Sequence, residues 1–135
     1  MRSRHPIYFR HQPEDTNLCG QCCIAMLLHL SVDDAAELVG TRGVTSTRHL
    51  RLALEAHGWS LGDRINAKKV DPEPGKVYLA RVHWKKGGKR THWVIVNAHG
   101  IVVDPAAGRD PEWTRNGVSY ITSLYEVGFD QDGGG

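Results

Sequence analysis

The sequence predicts an α+β domain, with helices in its first half and antiparallel strands in its second half. Between residues 19 and 57, apolar residues recur with helical spacing. After residue 59 the pattern changes, and segments rich in Val, Ile, Tyr and Trp alternate with turn residues. A chain of 135 residues fits one domain. We expect residues 1–129 to form that domain and the Gly-rich segment 130–135 to be disordered.

Three helices are predicted in the first half. The first covers residues 19–30, and one buried face is expected from the apolar spacing of Cys23, Met26, Leu27 and Leu30. Ser31 is placed to cap the second helix, which ends at Gly40. The third helix starts within residues 43–46, and Gly58 closes it.

Strands and turns are predicted in the second half. The expected strands are 59–65, 77–84, 91–97, 101–104 and 118–121. Pro72 and Pro74 exclude regular structure from the turn at 71–75. Residues 123–127 are expected to form a terminal turn of helix.

Composition excludes several classes of function. The net charge of +2 is too small to indicate nucleic acid binding, and the basic run at 85–90 is expected to be a solvated hairpin tip. We expect no membrane span and no secretory signal, because no apolar segment is long enough and the basic amino terminus precedes no apolar core. Three cysteines, an odd number, favour a reducing, cytoplasmic compartment.

Cys19 is the candidate nucleophile. It lies where the first predicted helix begins, near the positive end of the helix dipole and near unpaired backbone N–H groups. Both features favour the thiolate, which is the reactive form of cysteine. A reactive cysteine also needs a base, a group that orients the base, and donors for an oxyanion.

His92 and Asp104 are the candidate base and orienting group. His92 opens one predicted strand, and Asp104 closes the next strand just before Pro105. If the turn at 97–100 centres near Ala98, the two side chains are opposite or diagonal, with Cβ atoms about 5 Å apart when directly opposite. A register slip of one residue would send them to opposite faces.

Four short motifs resemble one enzyme family, in the family's order, across residues 12–107. Residues 19–26 resemble the Cys-Gly-Pro-Ala-Cys-Leu-Ala-Met run of bacteriocin-processing, double-glycine-leader peptidases, a branch of the papain-like cysteine peptidases. Residues 91–96 resemble the family's histidine strand, and 103–105 resemble its Asp-Pro. Gln12 matches the family's oxyanion glutamine, although six residues separate it from Cys19, one more than expected.

The resemblance implies a papain-like fold, in which a nucleophile helix packs on a C-terminal antiparallel sheet. It implies that Cys19 attacks an amide carbonyl of a peptide or protein substrate. His92 would then act as general base and acid, Asp104 would orient the imidazole, and Gln12 with the Cys19 backbone N–H would stabilise the oxyanion. No metal or cofactor is implied.

Two neighbours of these residues are candidate substrate contacts. Gly20 directly follows the cysteine. Trp93 directly follows the histidine, and its indole belongs either to the core or to the wall of the cleft.

Three alternatives remain open from the sequence. Cys19 and Cys22 form a C-x-x-C motif, which is typical of thiol–disulfide oxidoreductases. The same cysteines with two of His83, His92 and His99 could bind zinc. The third alternative is a non-catalytic interaction module on the same fold. The substrate and the oligomeric state are not predicted.

Overall fold

A computed structural model describes residues 18–43, 45–84, 91–103, 105 and 119–129. These residues form an α+β arrangement, as predicted, with the helices first and the strands after them. The helices are α1 (Cys19–Leu28), α2 (Val32–Val39) and α3 (Thr47–Glu55). The strands are β1 (Ser60–Leu61), β2 (Ile65–Asn66), β3 (Tyr78–Trp84), β4 (Thr91–Val96), β5 (Val102–Val103) and β6 (Ser119–Gly128).

The strands form one sheet in the order β1-β6-β3-β4-β5, and β2 also pairs with β6. Every described pairing is antiparallel. The long strands β3, β4 and β6 form the centre of the sheet. Antiparallel strands give a sheet two faces, because successive side chains point to opposite sides.

The main hydrophobic core lies between one face of the sheet and the helices. Leu79, Ile95 and Tyr125 point to this face and pack in one cluster with residues of all three helices. A second, smaller cluster lies on the other face; its buried members are Tyr78, Ala80, Val82, Val94, Val96 and Leu124.

Helix α1 is buried on all sides, although the sequence predicted a single buried face. Its residues 20–27 are all buried, because α2, α3 and β4 all pack against it. The helix ends at Leu28, and His29 follows in the left-handed conformation with φ 60°. Leu30, a member of the predicted inner face, therefore lies outside the helix. No helix in the described ranges is long and apolar enough to cross a membrane.

The ends of α2 match the predicted capping signals. The Ser31 hydroxyl accepts the Asp34 N–H at 3.0 Å, and Gly40 ends α2 with φ 91°. Helix α3 starts after Ser46, as expected, but ends at Glu55, three residues before the predicted end at Gly58. The Ser46 hydroxyl accepts the His49 N–H, and His49 Nδ1 accepts the Ser46 N–H at 3.0 Å. Caps of this kind join residues three apart, so the sequence near a helix start carries the signal for them.

Strand β6 corrects one prediction. Residues 123–127 were expected to form a helical turn, but they continue β6 to Gly128. Leu124, Tyr125 and Val127 are buried, and β6 pairs with β1, β2 and β3. Pairing with strands distant in sequence therefore overrides the local preference of this segment.

Candidate functional site

Cys19 is the first residue of α1 and is partly exposed. The cysteines Cys19, Cys22 and Cys23 are thiols outside any disulfide, and Cys22 and Cys23 are both 0 % exposed. Leu18 precedes the helix and supplies no side-chain cap. The first N–H groups of a helix have no acceptor within the helix, and those of α1 lie next to Cys19, its first residue. Cys19 is thus the accessible thiol of the three, at the position predicted from the sequence.

The sulfur of Cys19 contacts β4 at the predicted histidine strand. The backbone N–H of Trp93 donates to Cys19 Sγ at an N···S distance of 3.5 Å. Strand β5 pairs with β4 at Ile95 and Val96, and the Cys19 contact lies two residues before this pairing. An N–H group aimed at the sulfur stabilises negative charge there. Cys19 therefore lies beside the peptide group that joins His92 to Trp93.

His92 is buried, with 5 % of its surface exposed, and lies directly opposite Val82 in the β3–β4 pair. Strand alternation gives His92 the parity of Val94, which packs on the sheet face away from the helices. Trp93 has the other parity and packs on the helical face. The sulfur contacts the backbone at the peptide group between these two residues.

Trp93 is a core side chain with a position beside the candidate nucleophile. It is 3 % exposed, and its ring lies 5.8 Å from the Tyr125 ring, centroid to centroid. Its indole N–H donates to the Thr45 carbonyl at 3.5 Å. The sequence left the Trp93 indole either in the core or in the wall of the cleft. The structure places the indole in the core, and the backbone N–H of Trp93 contacts Cys19.

The β4–β5 hairpin has the predicted turn, shifted by one residue. Val103 lies opposite Ile95, which places the centre of the turn at His99 instead of Ala98. The Asn97 side-chain oxygen holds this turn by accepting the N–H groups of His99 at 2.9 Å and Ile101 at 3.0 Å. The predicted orienting residue, Asp104, lies outside the described residues.

Gln12, the predicted oxyanion residue, also lies outside the described residues. The structure therefore describes four of the six predicted site residues, namely Cys19, Gly20, His92 and Trp93. It brings Cys19 and the His92–Trp93 peptide together across the helix–sheet interface.

Gly20 allows the close approach of Thr45 to the start of α1. A Cβ atom added at position 20 would collide with Thr45 Oγ1 and would also approach Leu50. Thr45 is 5 % exposed, and its hydroxyl has no hydrogen-bond partner within the described ranges. The segment between α2 and α3 is thus packed directly against the residue that follows the candidate nucleophile.

Gln21 is a buried polar residue that the sequence analysis missed. It is 0 % exposed, and its side-chain nitrogen donates to the carbonyl oxygens of Thr41 at 2.8 Å and Gly43 at 2.9 Å. These bonds tie the loop after α2 to the first turn of α1. The signal in the sequence was a lone Gln within an apolar run, which does not indicate a tertiary partner.

The structure bears on two of the alternatives from the sequence. A thioredoxin-like chain needs a βαβ unit with parallel strands, whereas every pairing in the described sheet is antiparallel. For zinc, no group of three or more His, Cys, Asp or Glu side chains is gathered within the described part of the chain. Cys19, Cys22, His83, His92 and His99 all belong to that part.

No family model matches the sequence, and no curated protein is significantly similar to it.

Proposed function

We propose that this protein is a papain-like cysteine peptidase or amidase, which cleaves an amide bond through a thioester on Cys19. The observation that carries the proposal is the contact between Cys19 Sγ and the Trp93 N–H, directly beside His92. A free, partly exposed cysteine at a helix start and a histidine on an adjacent strand are the components of a cysteine–histidine couple.

The proposed reaction has two steps. The Cys19 thiolate attacks the amide carbonyl, a C–S bond forms, and the C–N bond breaks as His92 gives a proton to the leaving amine. Water, losing a proton to His92, then attacks the thioester and releases the acid, so the thiol is regenerated. Each step passes through an oxyanion, which backbone N–H groups at the start of α1 would stabilise.

Asp104 and Gln12 complete the proposed site. Their assignment comes from their positions in the sequence motifs. Asp104 would accept the other imidazole N–H and hold the ring in one tautomer. In the described part of the hairpin, Val102 lies opposite Val96, so even-numbered positions of the two strands share a face. His92 belongs to that even-numbered set. Gln12 would donate its side-chain amide to the oxyanion.

Two measurements test the proposal: the rate of peptide cleavage and the rate of alkylation at Cys19. Cys19→Ala and His92→Ala should each lower the cleavage rate of a synthetic peptide pool by at least about 10²-fold, the usual contribution of a general base. Asp104→Asn should impair cleavage less. Cleavage is followed by mass spectrometry, and thermal unfolding checks that each variant remains folded.

His99→Ala is the matched control, because it removes an exposed imidazole from the same hairpin. The backbone N–H of residue 99 keeps its bond to Asn97, so the turn is retained. Iodoacetamide labelling at neutral pH should be faster at Cys19 in the control than in His92→Ala. If Cys19→Ala cleaves peptides as fast as the unchanged protein, or if His92→Ala leaves the Cys19 labelling rate unchanged, the proposal fails.

A further inference from the structure

A row of four residues on the helical face of the sheet leads away from Cys19. Arg81 of β3 lies directly opposite Trp93 of β4 on one side and Ser123 of β6 on the other. The buried Ser123 hydroxyl accepts the Arg64 Nε–H at 2.7 Å. We call Trp93, Arg81, Ser123 and Arg64 the arginine row. Residues directly opposite in antiparallel strands share a face, so the row is continuous across the sheet.

Neither arginine of this row is neutralised by a carboxylate within the described residues. The ion pairs found there join Arg42 to Asp33, and Lys76 to Glu73 and Glu126. The Arg81 guanidinium lies over the Trp93 ring, 4.6 Å from its centroid. Its Nε–H is buried and has no acceptor in the described part of the chain. A positive charge that is partly removed from water and unpaired attracts an anion more strongly than an exposed one.

Cationic side chains lie along the row and at its exposed end. Lys68 and Arg64 are exposed at the turn around β2. His83, two residues after Arg81, shares its face, but its pKa is lowered by burial and by the charges of Arg81 and Lys68, so it adds no positive charge at neutral pH. The three cations Arg64, Lys68 and Arg81 favour a negatively charged ligand.

One residue connects the row to the candidate nucleophile. Trp93 contacts Cys19 Sγ with its backbone N–H and Arg81 with its ring. A ligand that reaches the sulfur therefore comes close to the row.

We propose that the arginine row binds a carboxylate of the substrate, close to the bond that Cys19 attacks. This inference rests on the proposed function for the identity of the nucleophile, and it adds a substrate class, acidic peptides. The carboxylate belongs either to an acidic side chain or to a chain end, and both present the same two oxygens to a guanidinium.

Matched alkylating probes test the inference. N-iodoacetyl-glycylglycine carries a terminal carboxylate two residues from its reactive group, and the corresponding terminal amide is the uncharged control. N-iodoacetyl-glutamic α-amide carries a side-chain carboxylate, and the glutamine analogue is its control. The labelling rate of Cys19 is measured by peptide mapping and divided by the rate with iodoacetamide in the same protein. This division removes differences in the reactivity of the thiol itself.

We expect at least one carboxylate probe to label Cys19 about tenfold faster than its amide at low salt, a typical gain from charge pairing. The probe with the larger ratio identifies the source of the carboxylate. The ratio should fall toward one in Arg81→Gln, fall partly in Arg64→Gln, and be largely kept in Arg81→Lys. High salt should lower it, since ions screen exposed charges.

Lys76→Gln is the charge-matched control. It removes one positive charge near the start of β3, five residues before Arg81, and should leave the ratio unchanged. Arg64 is exposed, so Arg64→Gln keeps the test valid if Arg81→Gln does not fold.

Two outcomes would overturn the inference: ratios near one for both probes in the unchanged protein, or a high ratio that survives in both Arg81→Gln and Arg64→Gln. Failure of the proposed function gives a different result. In that case Cys19 is labelled as fast in His92→Ala as in the unchanged protein, and no peptide is cleaved. The ratio of carboxylate-probe to amide-probe labelling at Cys19 still measures whether the arginine row binds a carboxylate.

Discussion

Two neighbouring rows on the same face of the sheet differ sharply in what they contain. Ile95, Leu79 and Tyr125 form a row of directly paired residues across β4, β3 and β6, with exposures of 0 %, 0 % and 7 %. Two residues further along the same strands, the arginine row replaces this apolar set with a tryptophan, an arginine and a serine. We call the first set the apolar row.

The two rows differ in what packs against them. The apolar row belongs to the cluster that includes the buried centre of α1, and Trp93 is the member of the arginine row that shares this cluster. The arginine row also lies beside the first residue of α1, where Cys19 contacts the backbone of Trp93. The same three strands therefore support both the core and the candidate site. Substitutions in the apolar row should lower stability, whereas substitutions of Arg81 and Arg64 should change substrate selection.

The largest expected effect is on stability in the apolar row. Leu79→Ala removes a fully buried side chain and should lower the free energy of unfolding by about 2–5 kcal/mol. Arg81→Gln, two residues away, loses a stacking contact with Trp93 that is worth about 0.5–1 kcal/mol. Urea unfolding of both variants measures the two effects. Equal destabilisation by both would remove the distinction between the rows.

An intermediate effect is expected at the contact between Gly20 and Thr45, above the arginine row. Gly20→Ala forces a Cβ against the Thr45 hydroxyl and should cost about 1–3 kcal/mol, as overpacked sites do. In a Thr45→Ala background the same change should cost at least about 1 kcal/mol less, because the colliding oxygen is gone.

Thermal unfolding of the two single variants and the double variant gives the coupling between these residues. Additive effects would mean that the helix start and the loop do not touch in solution. A coupling would show that the start of α1 is held by the loop before α3.

The smallest expected effect is a pH dependence at His83, beyond the arginine row. Its pKa lies below the ordinary value of 6.5, because burial and the nearby cations Arg81 and Lys68 disfavour the charged ring. The unfolded chain therefore binds the proton more readily. His83 stabilises the fold fully above pH 6.5, and this contribution is lost as the pH falls below that value.

His83→Asn isolates this effect, since an amide oxygen can still bond the Thr122 hydroxyl, which lies 2.9 Å from His83 Nδ1. The difference in melting temperature between the unchanged protein and the variant should shrink from pH 7.5 to pH 5. A difference that stays constant over this range would contradict the assignment.

Local features of the fold were predictable from the sequence. Ser31 and Ser46 cap their helices through contacts three residues away, and Gly40 ends α2 in the left-handed conformation. Cys19 begins α1 as expected. The hairpin turn at 97–100 forms, displaced by one residue, because Asn97 and Gly100 suit a tight turn.

Features that depend on distant partners were not predictable. Residues 123–127 have no strong strand pattern alone, yet they form a strand because β1, β2 and β3 all pair with β6. The burial of Gln21 needs carbonyl acceptors 20 and 22 residues away. Helix α1 is surrounded on all sides because three separate elements meet on it, and no spacing rule within the helix contains that information.

The sequence by itself determined the α+β order, the start and end of α2, and a cysteine at a helix start with a histidine at the start of a strand. These depend on hydrogen bonds and steric limits among near neighbours in the chain. Tertiary structure alone decided that Cys19 meets Trp93, 74 residues away, and that Arg81 stands between Trp93 and Ser123. Such contacts arise from strand register and packing between distant segments. The local sequence pattern of one segment does not specify which distant segment it will contact.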